Sequence, residues 1–112
     1  MAENCLFCKI ARGEIPSKIV AETATSFAFR DINPEAPVHV LVIPREHFAS
    51  LNEIPRELLA DVVELAREVA KREGIDQRGY RVVFNTHSDG GQTVGHVHAH
   101  VLGGRHMNWP PG

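Results

Sequence analysis

The chain reads as an α+β domain: a five-stranded antiparallel sheet with one long helix and a short N-terminal helix. Three observations predict this. Five short runs rich in Val, Ile and Phe are separated by Gly, Pro, Asn and Asp at hairpin-like spacing. A single long segment repeats its apolar residues at the helical period. And 112 residues suffice for one modest core, which makes 1–112 a single domain.

The elements follow in order. Leu6–Arg12 is a short helix candidate that stops at Gly13, with Pro16 just beyond. Lys18–Ala21 and Ser26–Arg30 are strand candidates, the second alternating so that Phe27 and Phe29 share a face. Asp31, Asn33, Pro34 and Pro37 break the pattern into a loop. His39–Ile43 is a β-branched run that suits a buried strand ended by Pro44. The long helix begins near Pro55, a good first-turn residue, and stops at Gly74. Its apolar stripe is Leu58, Leu59, Val62, Val63, Ala66, Val69 and Ala70, which reads as core, with charges over the rest. Tyr80–Asn85 is a fourth strand, Ser88–Gly91 a turn, and Val94–Leu102 the last strand, closed by Gly103-Gly104.

Bulk properties exclude some functions. A net charge of −2 without any basic run argues against nucleic acid as a partner, since such binding depends on Lys and Arg neutralising phosphates. No apolar run approaches the ~20 residues that would span a bilayer. The first residues, Met1-Ala-Glu-Asn-Cys5, lack the basic and apolar regions of a signal peptide, so a cytoplasmic location is expected.

Three of the seven histidines, His96, His98 and His100, alternate along the last strand candidate. In a strand, residues two apart share a face and lie about 6.6–6.8 Å apart. Val97, Ala99 and Val101 then face the other way. The outer pair would be ~13 Å apart, too far for one zinc to hold all three at ~2 Å each. Imidazole titrates near neutrality and serves as nucleophile, acid or base. The alternation alone leaves metal binding and catalysis both open. Cys5 and Cys8 are separated by two residues, a metal-ligand spacing that still needs two further donors. Two free thiols remain the alternative.

His96-Val-His98-Ala-His100-Val-Leu102 resembles the signature of the histidine triad (HIT) superfamily of nucleotide hydrolases and transferases. Asp31-Ile-Asn-Pro-Glu-Ala-Pro37, His39-Val-Leu-Val-Ile-Pro44 and Asn85 to Gly91 are similar to it as well. The tail Gly103-Gly-Arg-His-Met-Asn-Trp-Pro-Pro-Gly112 resembles the nucleotide-binding Hint branch. The resemblance runs along essentially the whole chain.

What it implies is specific. The fold would be HIT-like, a homodimer whose two sheets join into ten strands. His98 would attack the α-phosphorus, forming a nucleotidyl-histidine that water releases, with a backbone carbonyl expected to hold its other ring nitrogen and fix its tautomer. His100 would contact the phosphate oxygens, and His39 would support the triad. Asn85, Gly91 and Thr93 would meet the phosphate or leaving group, with Thr93 standing where close relatives have Ser. Asp31 would bind the ribose hydroxyls, and Phe7, Ile10, Phe29 and Ile32 would surround a purine. Trp109 would lie near the active site, often the partner subunit's. Some members complete the cysteine pair with two histidines, here His47 and His96, to hold a structural zinc; Hint members that lack the cysteines do not. The activity expected is hydrolysis of purine nucleoside phosphoramidates. Hydrolysis of dinucleoside polyphosphates, or a binding module with incidental catalysis, are the alternatives.

Overall fold

The computed structural model describes residues 4–112. Met1, Ala2 and Glu3, part of the stretch read above for a signal peptide, lie outside them. The elements run α1 (Leu6–Ala11), β1 (Ile19–Glu22), β2 (Ser26–Arg30), β3 (Val38–Pro44), α2 (Arg56–Arg72), β4 (Tyr80–Phe84), α3 (His87–Gly90) and β5 (Ala99–Gly103). The strands form one sheet in the order β1-β2-β3-β5-β4, every pair antiparallel. The expected α+β architecture is what the chain adopts. Among the described residues no helix is long and apolar enough to cross a membrane.

β3 lies at the centre because its residues from His39 onward are buried. Residues directly opposite in antiparallel strands share a face. Ala28, Val42, Ala99 and Phe84 form one such row, and Val40, Val101 and Val82 another. These rows pack against Val62, Leu65, Ala66, Val69 and Ala70 of α2. The other face carries Phe29, Leu41, His100 and Val83 in a row, with Phe27 and Ile43 beside them. There α1 lays Phe7 and Ile10 onto the aromatic residues.

Three expectations need correction. On α2, Leu65 is buried and Val63 is exposed; one residue advances a helix by about 100°, which carries Val63 off the stripe that repeats through Val62, Leu65, Ala66 and Val69. The turn at Ser88–Gly91 is a single helical turn, α3, ended by Gly91 at φ 77°, a conformation glycine adopts without strain. The last strand starts at Ala99, not Val94. Opposite its expected first half, β3 has reached Pro44, whose nitrogen has no hydrogen for a ladder bond. Val97 N–H donates instead to Phe48 O in the loop after β3, at 2.7 Å.

Candidate active site and metal centre

His98 therefore sits just before β5 and His100 within it. His98 is 4% exposed, edge-on to Phe7 with ring centroids 5.0 Å apart. Its Nδ1 lies 2.8 Å from His96 O. A carbonyl can only accept, so Nδ1 carries the hydrogen and Nε2 keeps its lone pair. His100 shows the opposite arrangement. Glu35 N–H donates to His39 Nδ1 at 3.0 Å, so the neutral ring of His39 carries its hydrogen on Nε2. That nitrogen meets His100 Nδ1 at 2.9 Å, with Asp31 Oδ2 at 3.4 Å. His100 Nδ1 accepts, and its own hydrogen lies on Nε2. The ring centroids of His98 and His100 stand 4.9 Å apart with their planes at 62°. One presents a bare nitrogen and the other an N–H.

Burial keeps these rings neutral at pH 7. It lowers the pKa of His98, against the His96 carbonyl and the Asp31 charge. It lowers His100 to about 4, helped by His98 and His39 and opposed by Asp31. In the unfolded chain a histidine titrates near 6.5. Between about 6.5 and 4 the unfolded chain thus binds protons that the folded His100 refuses. The stability from this group is complete above 6.5 and is lost as pH falls through that window. Urea midpoints should fall on acidification from pH 7 to 4.5, and His100→Asn should flatten that dependence. An equal slope in both proteins would refute the assignment.

Cys5, Cys8, His47 and His96 bring their donor atoms within 4.8 Å of one another. The cysteines lie three apart around the first turn of α1, where Cys8 N–H also points at Cys5 Sγ, 3.3 Å away. His47 comes from the loop after β3. Cys5 Sγ to His96 Nδ1 is 3.3 Å, Cys8 Sγ to His47 Nδ1 is 3.3 Å and Cys8 Sγ to His96 Nδ1 is 3.5 Å; the two Nδ1 atoms are 3.2 Å apart. Ligands of a tetrahedral zinc, at 2.3 Å for sulfur and about 2.05 Å for nitrogen, are separated by about 3.6 Å for S···N and about 3.3 Å for N···N. His96 Nε2 donates to Pro44 O at 2.9 Å, which leaves its Nδ1 lone pair facing the cluster, the outer bond that orients a ligating imidazole. The donor set fits a tetrahedral metal. Burial, then the neighbouring Cys5, raises the Cys8 thiol to about 11, and burial lowers His96 to about 4; a cation would displace the thiol protons. Asp31, His39 and His100 are also close together. Both nitrogens of His39 are already engaged, so the proton relay accounts for that grouping.

The other expected residues fall into four groups. Phe7 and Phe29 are buried with centroids 5.6 Å apart, and Ile10 packs on their cluster. Asp31 follows β2 and accepts from Asn33 N–H through Oδ1 at 2.8 Å; Ile32, next to it, is 90% exposed. Asn85 follows β4 and is half-buried, while Gly91 and Thr93 are exposed in the loop after α3. Trp109 is 81% exposed and stands over Arg81 of β4 at 6.0 Å, at the free edge of the sheet. Its neighbour Asn108 O accepts from Arg81 at 2.9 Å.

Sequence reading missed the supports. Gln92 ties the 91–95 loop down, donating to Ala49 O at 2.7 Å and Val94 O at 2.9 Å and accepting from His87 N–H. Glu35 acts through its peptide N–H and Pro44 through its carbonyl, whereas the carbonyl expected behind His98 is present and belongs to His96. Backbone groups carry no side-chain signal, so no motif announces them.

A family model described as HIT domain matches residues 12–107. A purine nucleoside phosphoramidase of Escherichia coli (strain K12) is 45% identical over 108 residues, 94% of this chain and 91% of that protein. A 14 kDa zinc-binding protein of Zea mays is 48% identical over 112 residues, 96% of this chain and 87% of that protein. The crystal structure of a HIT family hydrolase from Legionella pneumophila Philadelphia 1 superposes with a TM-score of 0.93 at 54% identity, covering 97% of this chain and 100% of that one. With the triad, its supports and the strand order all in place, the chain belongs to the HIT domain family.

Proposed function

We propose that this chain is a nucleotide hydrolase that cleaves purine nucleoside phosphoramidates, with His98 as nucleophile. The observation that carries the reading is the tautomer pair: a bare Nε2 on His98 beside an Nε2–H on His100. His98 Nε2 forms a bond to the α-phosphorus, and the bond from phosphorus to the amine nitrogen breaks. The amine leaves with a proton, for which the hydroxyl of Thr93 is the candidate donor. The new N–P bond makes the imidazole cationic and hence a good leaving group. Water then attacks phosphorus and returns a proton to the Thr93 oxygen, the bond from phosphorus to Nε2 breaks, and nucleoside monophosphate is released with neutral His98. His100 Nε2–H donates to the phosphate oxygens as charge grows on them.

The remaining residues suit a purine nucleotide. Asp31 accepts from the ribose hydroxyls. Phe7, Ile10, Phe29 and Ile32 receive the base, and the exposure of Ile32 is what a purine would cover. Asn85 and Gly91 contact the phosphate. The similarity to a purine nucleoside phosphoramidase supports the substrate class. The test is release of adenosine monophosphate from an adenosine 5′-phosphoramidate by purified protein. No release, with nucleotide still bound, would move the assignment to dinucleoside polyphosphates or to a binding module.

Zinc is the cation proposed for Cys5, Cys8, His47 and His96. It would fix α1, and with it Phe7, against the triad.

We also propose a homodimer formed along β4. α2 packs on the other four strands, leaving Tyr80 and Val82 on the same face exposed at 36% and 39%. A second copy pairing there would cover them, make a ten-stranded sheet, and bring Trp109 to the partner's site. Light scattering should give a dimer for the native chain and a monomer for Val82→Asp. A monomeric native chain at micromolar concentration would sink this reading.

A further inference from the structure

Arg105 lies past the end of β5, outside the triad and outside the metal cluster. Its guanidinium reaches back to the loop between β2 and β3, where Nε and one Nη donate to Glu35 O at 3.2 and 3.0 Å. The other Nη donates to His106 O at 3.1 Å. The same stretch of loop, at Glu35 N–H, supplies the hydrogen that fixes His39. The approach is close: Gly104 has φ +91°, and a Cβ there would come within 2.8 Å of the Pro37 ring. A side chain at 104 would push Arg105 away from the loop.

We propose that Arg105 is a positioning residue for His100, acting through the Glu35 segment and His39. Arg105 grips Glu35 O with two donors, a charge-assisted pair stronger than neutral bonds. That holds the adjoining N–H on His39 Nδ1, so His39 presents Nε2–H to His100 Nδ1. His100 is thereby kept with its hydrogen on Nε2, where an anionic oxygen would receive it. If the loop is loosened, His39 can reverse its tautomer and present a lone pair. His100 then places its hydrogen on Nδ1, and Nε2 can no longer donate. The chain of contacts spans three elements with distances of 3.0, 3.0 and 2.9 Å.

The kinetic consequence rests on the phosphoramidase reading, but the tautomer does not. The test uses the metal-loaded full chain with ring-15N-labelled histidine. Native His100 should show the Nε2–H tautomer at pH 7.5. Arg105→Ala should show a mixture at His100 and lower kcat about tenfold with KM little changed, the usual scale for outer partners that orient a working histidine. Arg105→Lys, which keeps one charged donor, should recover most of the loss. Arg78→Ala, a basic residue lining the same surface cleft as Arg105, should leave kcat and the His100 signal unchanged; a fall there equal to that of Arg105→Ala would assign the effect to surface charge and overturn the proposal. So would a pure Nε2–H signal for His100 in Arg105→Ala. If native protein hydrolyses no phosphoramidate, the substrate reading fails while the nitrogen spectra still decide the relay.

Discussion

His98→Asn should lower the rate of adenosine monophosphate release from an adenosine 5′-phosphoramidate by about 10³-fold or more, the scale seen when a covalent nucleophile is removed. Asparagine approximates the polar shape near the His96 carbonyl but offers no nucleophilic nitrogen at the position of Nε2. Nucleotide affinity should change only modestly, because Asp31 and the Phe7–Phe29 wall remain. Binding measured by calorimetry and turnover measured by product release will therefore separate. A variant that keeps a tenth or more of native turnover would show that another group attacks phosphorus. Rapid quenching of the native enzyme should also trap one labelled nucleotide per chain, released by acid as expected for a phosphorus–nitrogen bond, and His98→Asn should trap none.

Cys8→Ala should reduce bound zinc from about one per chain to near zero and lower Tm by about 10–20 °C. A structural zinc can stabilise a small domain by about 10 kcal/mol. Even a third of that, about 3 kcal/mol, shifts Tm on this scale for a chain near 100 residues. The two sulfurs come from the first turn of α1 and the residue that caps it, His47 from the loop after β3 and His96 from the stretch before β5, so one cation would join three segments of the chain. A prolonged chelator treatment of the native chain should reproduce the loss, and added zinc should reverse it. Full zinc occupancy in Cys8→Ala, measured by atomic emission, would place the metal elsewhere; an unchanged Tm with no zinc would make the site incidental to folding.

Much of this was legible in the residues. Alternation in Ser26–Arg30, the β-branched run ending at Pro44 and the stripe on α2 carry the fold because burial imposes those periods. Histidines at 96, 98 and 100 with cysteines at 5 and 8 carry the site because few residue types supply those donors. What was not legible is where backbone geometry overrides a period. A strand drawn through Val94–His98 ignored that its neighbour ends in proline, and Val63 looked as apolar as Leu65 until the helix phase was fixed by packing. The carbonyl expected behind His98 proves to be that of His96, but the opposite tautomer of His100 depends on the amide of Glu35, a group that every non-proline residue has.

β3 has an implication for how this sequence can vary over generations. Its even-numbered residues Val40 and Val42 pack toward α2, while His39, Leu41 and Ile43 look toward the triad. Insertion or deletion of a single codon within it would exchange the two sets, sending a histidine into an aliphatic layer and a valine to the relay in one event. No compensating point substitution repairs that. Length changes in descendants of this gene should therefore concentrate in solvent-facing connections such as 13–18 and 76–79, while inside β3 only replacements of like size are tolerated. A library of one-residue insertions, selected for folded protein, should show that boundary as an abrupt gap.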